Sequence, residues 1–349
     1  MTMRVAYISP FINTENKYID LQKKLLNELG FKVEPFSLKT IFSKKLRGLF
    51  EPRNVVMVHW LETRLFKVDK GSASLSLVGI CQFLIYAFVL ACSRARVVYV
   101  VHDHAVHDTA GINHALSAWA VKFLRRLADA RIVHDPSFSL PYNAVYVPHP
   151  LYWEFEAAPE AQSIPDRQLP SAKAAPKTQP VHGILGALRP YKGIHQLLEF
   201  WPLNTPLLIC GKSVGDYGER LLGIIESKGL QNTVDLRIKF LPDLEFARIL
   251  GELDVVVLPH MSNTMLVSGA FFEAMGRVPI ILARSSPFIR WVETQYPGIV
   301  GFDSDANIED AIKTVRARWL ALQGHDPRQF ALQAFGRSVI LKAYRSIFA

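Results

Sequence analysis

Three short stretches of this sequence hold most of the residues that could do chemistry. The first is Gly186-Ala187-Leu188-Arg189-Pro190-Tyr191-Lys192-Gly193, between an apolar run of strand length (His182–Leu185) and a helical run (Ile194–Phe200). Gly186 permits a tight exit from the strand. Gly193 opens a helix whose free N–H groups favour an anion. Arg189 and Lys192 add two positive charges in the loop, suited to a leaving diphosphate, and Lys212, just past the strand Leu207–Cys210, is grouped with them. A surface turn with two solvated cations has the same spacing.

The second stretch runs from Leu258 to Pro279. A strand ends at Pro259, a polar loop follows, and Ser268-Gly269 starts a helix that carries Glu273 in its first turns. A carboxylate there can accept two hydrogen bonds from the cis-diol of a ribose, while amides around Gly269 meet phosphate; a helix-surface glutamate is the plain alternative. The third stretch is split. His59-Trp60-Leu61-Glu62 closes one strand and His102-Asp103-His104-Ala105-Val106-His107-Asp108 closes the next. Carboxylates and imidazoles at two adjacent strand ends gather proton-transfer groups at one edge. Any one of these histidines taken singly also fits a capping or packing role, and nothing in their spacing favours a metal.

The elements that must position these groups alternate between strand and helix. Strands are expected at Arg4–Ser9, Phe31–Phe36, Asn54–Trp60, Val97–His102, Arg131–His134 and Val145–Val147. Helices are expected at Asn16–Leu29, Thr40–Leu49, Leu75–Cys92 and Ile112–Ala128, the last with Ile112, Leu116, Trp119, Phe123 and Leu127 as its apolar stripe. Residues 157–180 hold five prolines and no aromatic residue and read as a linker. The alternation then restarts, with strands at Val234–Phe240, Val255–Leu258, Pro279–Ala283 and Ile299–Phe302 besides those named. Repeated βα units of this length imply an α/β fold of two Rossmann-like domains, with parallel sheets facing across a cleft. The expected division is 1–156, a linker at 157–180, 181–330, and a C-terminal helix in 331–349 packing back toward the first domain.

A length of 349 residues suits two domains, and 50% hydrophobic with 20% charged residues excludes disorder and fibrous repeats. The net charge of +9 is lopsided: residues 1–150 hold 19 basic and 11 acidic side chains, residues 151–349 hold 21 and 20. Cys81, Cys92 and Cys210 form neither a disulfide framework nor a metal spacing, and point to a reducing compartment. The N-terminus reads directly into a strand, with no leader pattern. Leu75–Cys92 carries no charge over 18 residues, the lower limit for a span. It feeds the strand VVYVVH and reads as a crossover helix, with a lipid-facing side as the further expectation. Basic residues without interleaved aromatics argue against nucleic-acid binding.

Together these stretches, with the early Asn16-Lys17-Tyr18, resemble the GT-B glycosyltransferases of the glycosyltransferase-4-like group. The nearest likeness is to β-mannosyltransferases of bacterial, xanthan-type exopolysaccharide assembly. The resemblance implies a hexosyltransferase needing no cofactor or metal, which moves a sugar from a nucleotide-diphosphate donor on the second domain to a polyprenyl-diphosphate-linked oligosaccharide on the first. GDP-mannose is the donor it favours. By analogy Gly186, Arg189, Lys192, Lys212, Ser268 and Gly269 bind donor, Glu273 the ribose, and His102 lies near the transferred sugar, with His107 beside it. Asn16, Tyr18 and Trp60 fall on the acceptor side. An inverting reaction needs a carboxylate base, with Asp108, Asp103 and Glu62 the candidates in that order. The chain departs from the group pattern at Met265 (a Glu there), Ala187 (an Arg), and Asp103 and Asp108 (an amide and a Glu). A UDP-sugar donor for glucosyl or glucuronosyl transfer, a nucleotide-sugar epimerase and a non-catalytic binder all remain compatible. The basic first domain fits a protein held peripherally at the cytoplasmic face of the inner membrane, on an anionic surface.

Overall fold

The computed structural model describes residues 3–13, 17–69, 72–107, 109–156, 178–261 and 265–349. The chain divides into two compact units. The first holds Met1–Phe155, Asn263–Ser268 and Ala334–Ala349; the second holds Glu156–Ser262 and Gly269–Gln333. The segment read as a linker lies outside the described residues from 157 to 177.

The first unit is built on strands β1 (Val5–Ser9), β2 (Lys32–Pro35), β3 (Val55–His59), β6 (Arg96–Val101), β7 (Ala130–Val133) and β8 (Val145–Tyr146), with an antiparallel hairpin of β4 (Phe66–Asp69) and β5 (Ser72–Leu75) between β3 and β6. The six-stranded order is β2-β1-β3-β6-β7-β8, all parallel. Its strands are continuous apolar runs because both faces are covered by helices. The helices are α1 (Tyr18–Glu28), α2 (Leu38–Ile41), α3 (Leu77–Cys92), α4 (Gly111–Leu127) and α5 (Ser139–Tyr142). Val56 and Val58 of β3, and Val97, Tyr99 and Val101 of β6, share one core with Phe83, Tyr86, Ala87 and Leu90 of α3 and Ala120, Val121 and Leu124 of α4. Alternate residues of each strand point to one face, so α3 and α4 lie side by side on the same side of the sheet. Consecutive right-handed crossovers running in one direction place them there.

Two expectations are corrected here. The helix read at Thr40–Leu49 is two pieces: α2, and a 3-10 helix at Lys44–Phe50 that restarts at Ser43, whose extended backbone breaks the first and whose hydroxyl accepts from the Lys45 amide. In α4 the buried face is Ser117, Ala120, Val121 and Leu124, whereas Ile112 and Trp119, expected inside, are exposed.

The second unit repeats the plan with β9 (His182–Leu185), β10 (Leu207–Gly211), β11 (Val234–Ile238), β12 (Val255–Leu258), β13 (Ile280–Arg284) and β14 (Ile299–Phe302), in the parallel order β11-β10-β9-β12-β13-β14. Its helices are α6 (Ile194–Leu198), α7 (Tyr217–Ser227), α8 (Asp243–Glu252), α9 (Gly269–Ala274), α10 (Pro287–Glu293), α11 (Ile308–Ala321) and α12 (Pro327–Phe335). The last helix, α13 (Arg337–Phe348), packs in the first unit. Ile340, Tyr344, Ile347 and Phe348 are buried, Arg337 Nε pairs with Glu28 at 2.6 Å, and Arg4 Nη2 donates to the Phe348 carbonyl at 2.8 Å. Each such apolar side chain contributes about 1.5–3 kcal/mol on burial, so the return of the C-terminus is a stable part of the first unit.

Candidate active-site groups of the two units

In parallel sheets ligands sit beyond the carboxyl ends of strands where the strand order reverses. In the second unit that point lies between β9 and β12. Beyond β9 the chain turns at Gly186 (φ +95°), and the Leu188 amide donates to the Lys212 carbonyl at 2.8 Å. The ends of β9 and β10 approach so closely that a Cβ on Gly211 would stand 1.8 Å from the Gly186 carbonyl oxygen. Arg189 precedes a single 3-10 turn, Pro190–Lys192, that ends at Gly193 (φ +70°). A Cβ at Gly193 would lie 2.6 Å from the Pro259 carbonyl oxygen, and the Met261 amide donates to the Tyr191 carbonyl at 3.2 Å. The loops after β9 and β12 are therefore one assembly.

Lys192 lies inside it, 9% exposed. Burial, then the neighbouring Arg189 guanidinium, pulls its ammonium down to about 8. Burial and the nearby Lys192 charge push His260 down to about 3, which keeps that imidazole neutral. Among the described residues no carboxylate or carbonyl pairs with the Lys192 ammonium. A buried cation with no such partner is arranged for an anion. The helices on either side are short: α6 stops at Leu198, two residues before the expected Phe200 and ahead of Pro202, and α9 has six residues. Their dipoles are correspondingly small, so charge at this point comes chiefly from Lys192 and Arg189. Lys212 is exposed, Ser268 and Gly269 are partly buried, and Glu273 is partly buried on α9. The chain passes from the first unit to the second between Ser268 and Gly269.

In the first unit the order reverses between β1 and β3. His59 ends β3, and Trp60 follows in the left-handed region (φ 48°, ψ 30°), a strained setting for a non-glycine residue. The turn lays the Trp60 ring on His102, beyond β6, with centroids 4.0 Å apart and planes at 20°. His59 Nδ1 and His102 Nε2 share a hydrogen bond of 3.0 Å. Tyr18 is fully buried and its hydroxyl donates to His134 Nε2 at 2.8 Å, while His134 Nδ1 donates to the Val147 carbonyl at 2.7 Å. Tyr18 thus positions imidazoles and is too deep to touch an acceptor. Burial holds His134 at about 4 and His59 at about 3, and drives His102 and His149 well below the ordinary value, the other imidazoles adding to the effect. All four are neutral at physiological pH.

Glu62, 1% exposed, accepts from the Tyr99 hydroxyl at 2.9 Å. Burial raises its carboxyl to about 7 against the lowering effect of its hydrogen bonds, with Asp103 adding to the rise. Asp103 Oδ1 lies 3.0 Å from His107 Nε2, an acid–imidazole pair whose histidine reaches the surface. The backbone of Asp103 bridges to Met265, and the Leu266 amide donates to the His102 carbonyl at 3.2 Å. His104 is turned away toward Phe138 and Tyr142. Asp108 and Asn16 lie outside the described residues. Among the described residues no group of three His, Cys, Asp or Glu side chains is placed to hold a metal.

No protein-family model matches the chain, and no curated protein matches it in sequence. Solved structures do. Anabaena Alr3699/HepE in complex with UDP is similar over 99% of both chains, at 16% identity and a TM-score of 0.64. The catalytic domain of Arabidopsis thaliana starch synthase IV, bound to ADP and acarbose, covers 100% of this chain and 99% of its own, at 13% identity and 0.58. The lipopolysaccharide outer core galactosyltransferase WaaB covers 99% and 98%, at 11% and 0.59. The fold is GT-B.

Within this GT-B fold the structure brings together His59, Trp60 and His102, pairs Glu62 with Tyr99 and Asp103 with His107, and seats Lys192 beside Arg189 and His260. Sequence reasoning missed Tyr99, His134, His149 and His260 as members of these clusters. His134 and His260 each follow a strand closely, the signal already used for His59 and His102. Tyr99 carried no signal, since it lies mid-strand.

Proposed function

We propose that this chain is a glycosyltransferase that takes a hexose from a nucleoside-diphosphate donor. The observation that carries the reading is the buried Lys192, unpaired among the described residues, in a glycine-bounded loop at the strand-order reversal of the second unit. A diphosphate there meets Lys192 and Arg189, and their charge offsets the negative charge that grows on the leaving nucleotide, an effect worth a few kcal/mol per donor group. These cations can perform the role a metal fills elsewhere. Glu273 of α9 is proposed to hold the ribose, with Ser268, Gly269 and Lys212 completing the donor side. The first unit is proposed to hold the acceptor, a polyprenyl-diphosphate-linked oligosaccharide of exopolysaccharide assembly, with Trp60 stacking on a sugar ring. In an inverting reaction the acceptor proton would pass to the Asp103–His107 pair. Glu62, about half ionised near neutral pH, is buried against the Tyr99 hydroxyl and out of reach of an acceptor.

GDP-mannose is the donor suggested by the sequence resemblance. A second reading, a UDP-hexose, is favoured by the UDP and UDP-glucose complexes of HepE. Turnover of a GDP- and UDP-sugar panel with membrane-extracted lipid-linked oligosaccharide separates them. Release of nucleoside diphosphate that depends on acceptor supports the proposal. Conversion of the nucleotide sugar without acceptor would establish an epimerase, and binding without turnover a non-catalytic role.

A further inference from the structure

Helix α3, Leu77–Cys92, contains no charged residue, yet only one side of it is buried. Phe83, Tyr86, Ala87, Val89 and Leu90 enter the core. Leu77, Cys81, Leu84 and Phe88, spaced four, three and four residues apart, form an unbroken stripe in solvent, with Val78 beside it; Leu77 is 82% and Phe88 70% exposed. Residues so spaced share one helix face. On α4 the outward stripe is Ile112, Ala115, Trp119, Lys122 and Arg126, with Ile112 83% and Trp119 53% exposed. That stripe is apolar in its first half and basic in its second. The two helices lie side by side on one face of the sheet, joined through Phe83 and Phe123, and Trp119 stacks on Phe123 at 5.3 Å. Their outer stripes therefore look the same way.

A contiguous stripe of exposed apolar side chains marks a surface that is covered by something. Its charge decides by what. Exposed Lys67 and Arg94 belong to the segments flanking α3, and Lys122 and Arg126 continue the α4 stripe. Residues 61–127 hold eight basic and four acidic side chains, and two of the acids, Glu62 and Asp103, are buried. A second copy would bring the same positive charge to a two-fold contact and be repelled. An anionic lipid surface is complementary on both counts, taking the apolar side chains into its acyl boundary and the cations at its headgroups. Trp119, with an apolar ring and a polar N–H, suits that boundary.

We propose that the paired outer stripes of α3 and α4 seat this chain on an anionic bilayer. The proposal adds a location to the acceptor half of the function above and rests on that reading for its purpose, but adsorption itself needs no donor. The test is flotation of the full chain with vesicles of phosphatidylcholine alone or mixed with phosphatidylglycerol, without nucleotide sugar. The wild type floats with the anionic vesicles and stays behind with the neutral ones. Phe88→Gln combined with Trp119→Gln lowers the bound fraction at least about tenfold, and Lys122→Gln with Arg126→Gln, both at exposed positions, lowers it similarly and weakens its salt dependence. Absence of flotation by the wild type, flotation that neither double variant changes, or a dimer in sedimentation velocity that Phe88→Gln with Trp119→Gln dissociates would each overturn it. Donor hydrolysis or transfer measured on the same variants separates the two ideas: a chain that floats but never releases nucleotide keeps the docking face and loses the transferase.

Discussion

Replacing Lys192 with methionine makes opposite demands on stability and on binding. An ammonium held at about 8 instead of 10.5 is disfavoured in the folded chain by on the order of 3 kcal/mol. The sign follows from proton counts. Above pH 8 the unfolded chain keeps the proton that the folded chain releases, so stability rises with pH toward 10.5, and at neutral pH the whole penalty is present. Lys192→Met fills similar space without charge, so it should raise the unfolding midpoint of the ligand-free protein by several degrees and flatten its rise between pH 8 and 10. The same change removes a charge-assisted contact to diphosphate, about 1.5–3 kcal/mol, or roughly ten- to a hundredfold in nucleotide affinity. Because Lys192 is half protonated at pH 8, a bound diphosphate restores its proton, and wild-type binding should take up about half a proton. Calorimetric titration of UDP and GDP at pH 8, in two buffers of different ionisation enthalpy, reads that uptake directly. A Lys192→Met protein that is less stable than wild type and binds nucleotide equally well would refute the argument.

Five further outcomes follow from the same structure. The neutral imidazoles of His59, His102, His134 and His149 stabilise the fold fully above pH 6.5, and that contribution is lost as pH falls toward their depressed values. For His59 and His134, held at about 3 and about 4, the loss should be on the order of 2 kcal/mol each at pH 5, so equal urea midpoints at pH 5 and 7 would contradict their burial. Glu62→Gln should stabilise the protein at pH 8 and change little at pH 4, since the raised carboxyl makes the wild type lose stability between pH 4.5 and 7; urea unfolding at both pH values tests the sign. Gly211→Ala forces a Cβ against the Gly186 carbonyl and should lower stability by more than about 2 kcal/mol. Gly223→Ala, in α7 with open space around it, should raise stability by about 0.5–1 kcal/mol; thermal melts of the pair decide both. Asp103→Asn should reduce turnover at least about tenfold with little change in donor affinity, and an unchanged rate would remove the Asp103–His107 pair from the chemistry.

Much of this architecture was legible in the residues. Strands such as Val55–His59 and Arg96–Val101 are runs of apolar, mostly β-branched residues, which only a strand covered on both faces accommodates. The inner face of α4 was not legible. Periodicity assigns the largest side chains to the core, but this helix packs through Ser117, Ala120 and Val121, which let it lie close to the sheet, and leaves Ile112 and Trp119 outside. The hairpin Phe66–Leu75 was also missed, since its strands of four residues are too short to establish a period. At the candidate site the glycines and cations of 186–193 were readable because a turn needs one and an anion the other. Protonation states were not: Glu62 owes its raised carboxyl to burial beside Tyr99 and Asp103, and His134 owes its tautomer to Val147 and Tyr18. Such partners meet only in the folded chain.

The central claim is that a nucleoside diphosphate is held by the loop between β9 and α6. A crystal structure with UDP or GDP measures it most directly. The expected result places diphosphate oxygens within hydrogen-bond distance of Lys192 Nζ and the Arg189 guanidinium, with backbone amides of residues 186–193 around them. A nucleotide bound elsewhere, with Lys192 still buried and untouched, would contradict it.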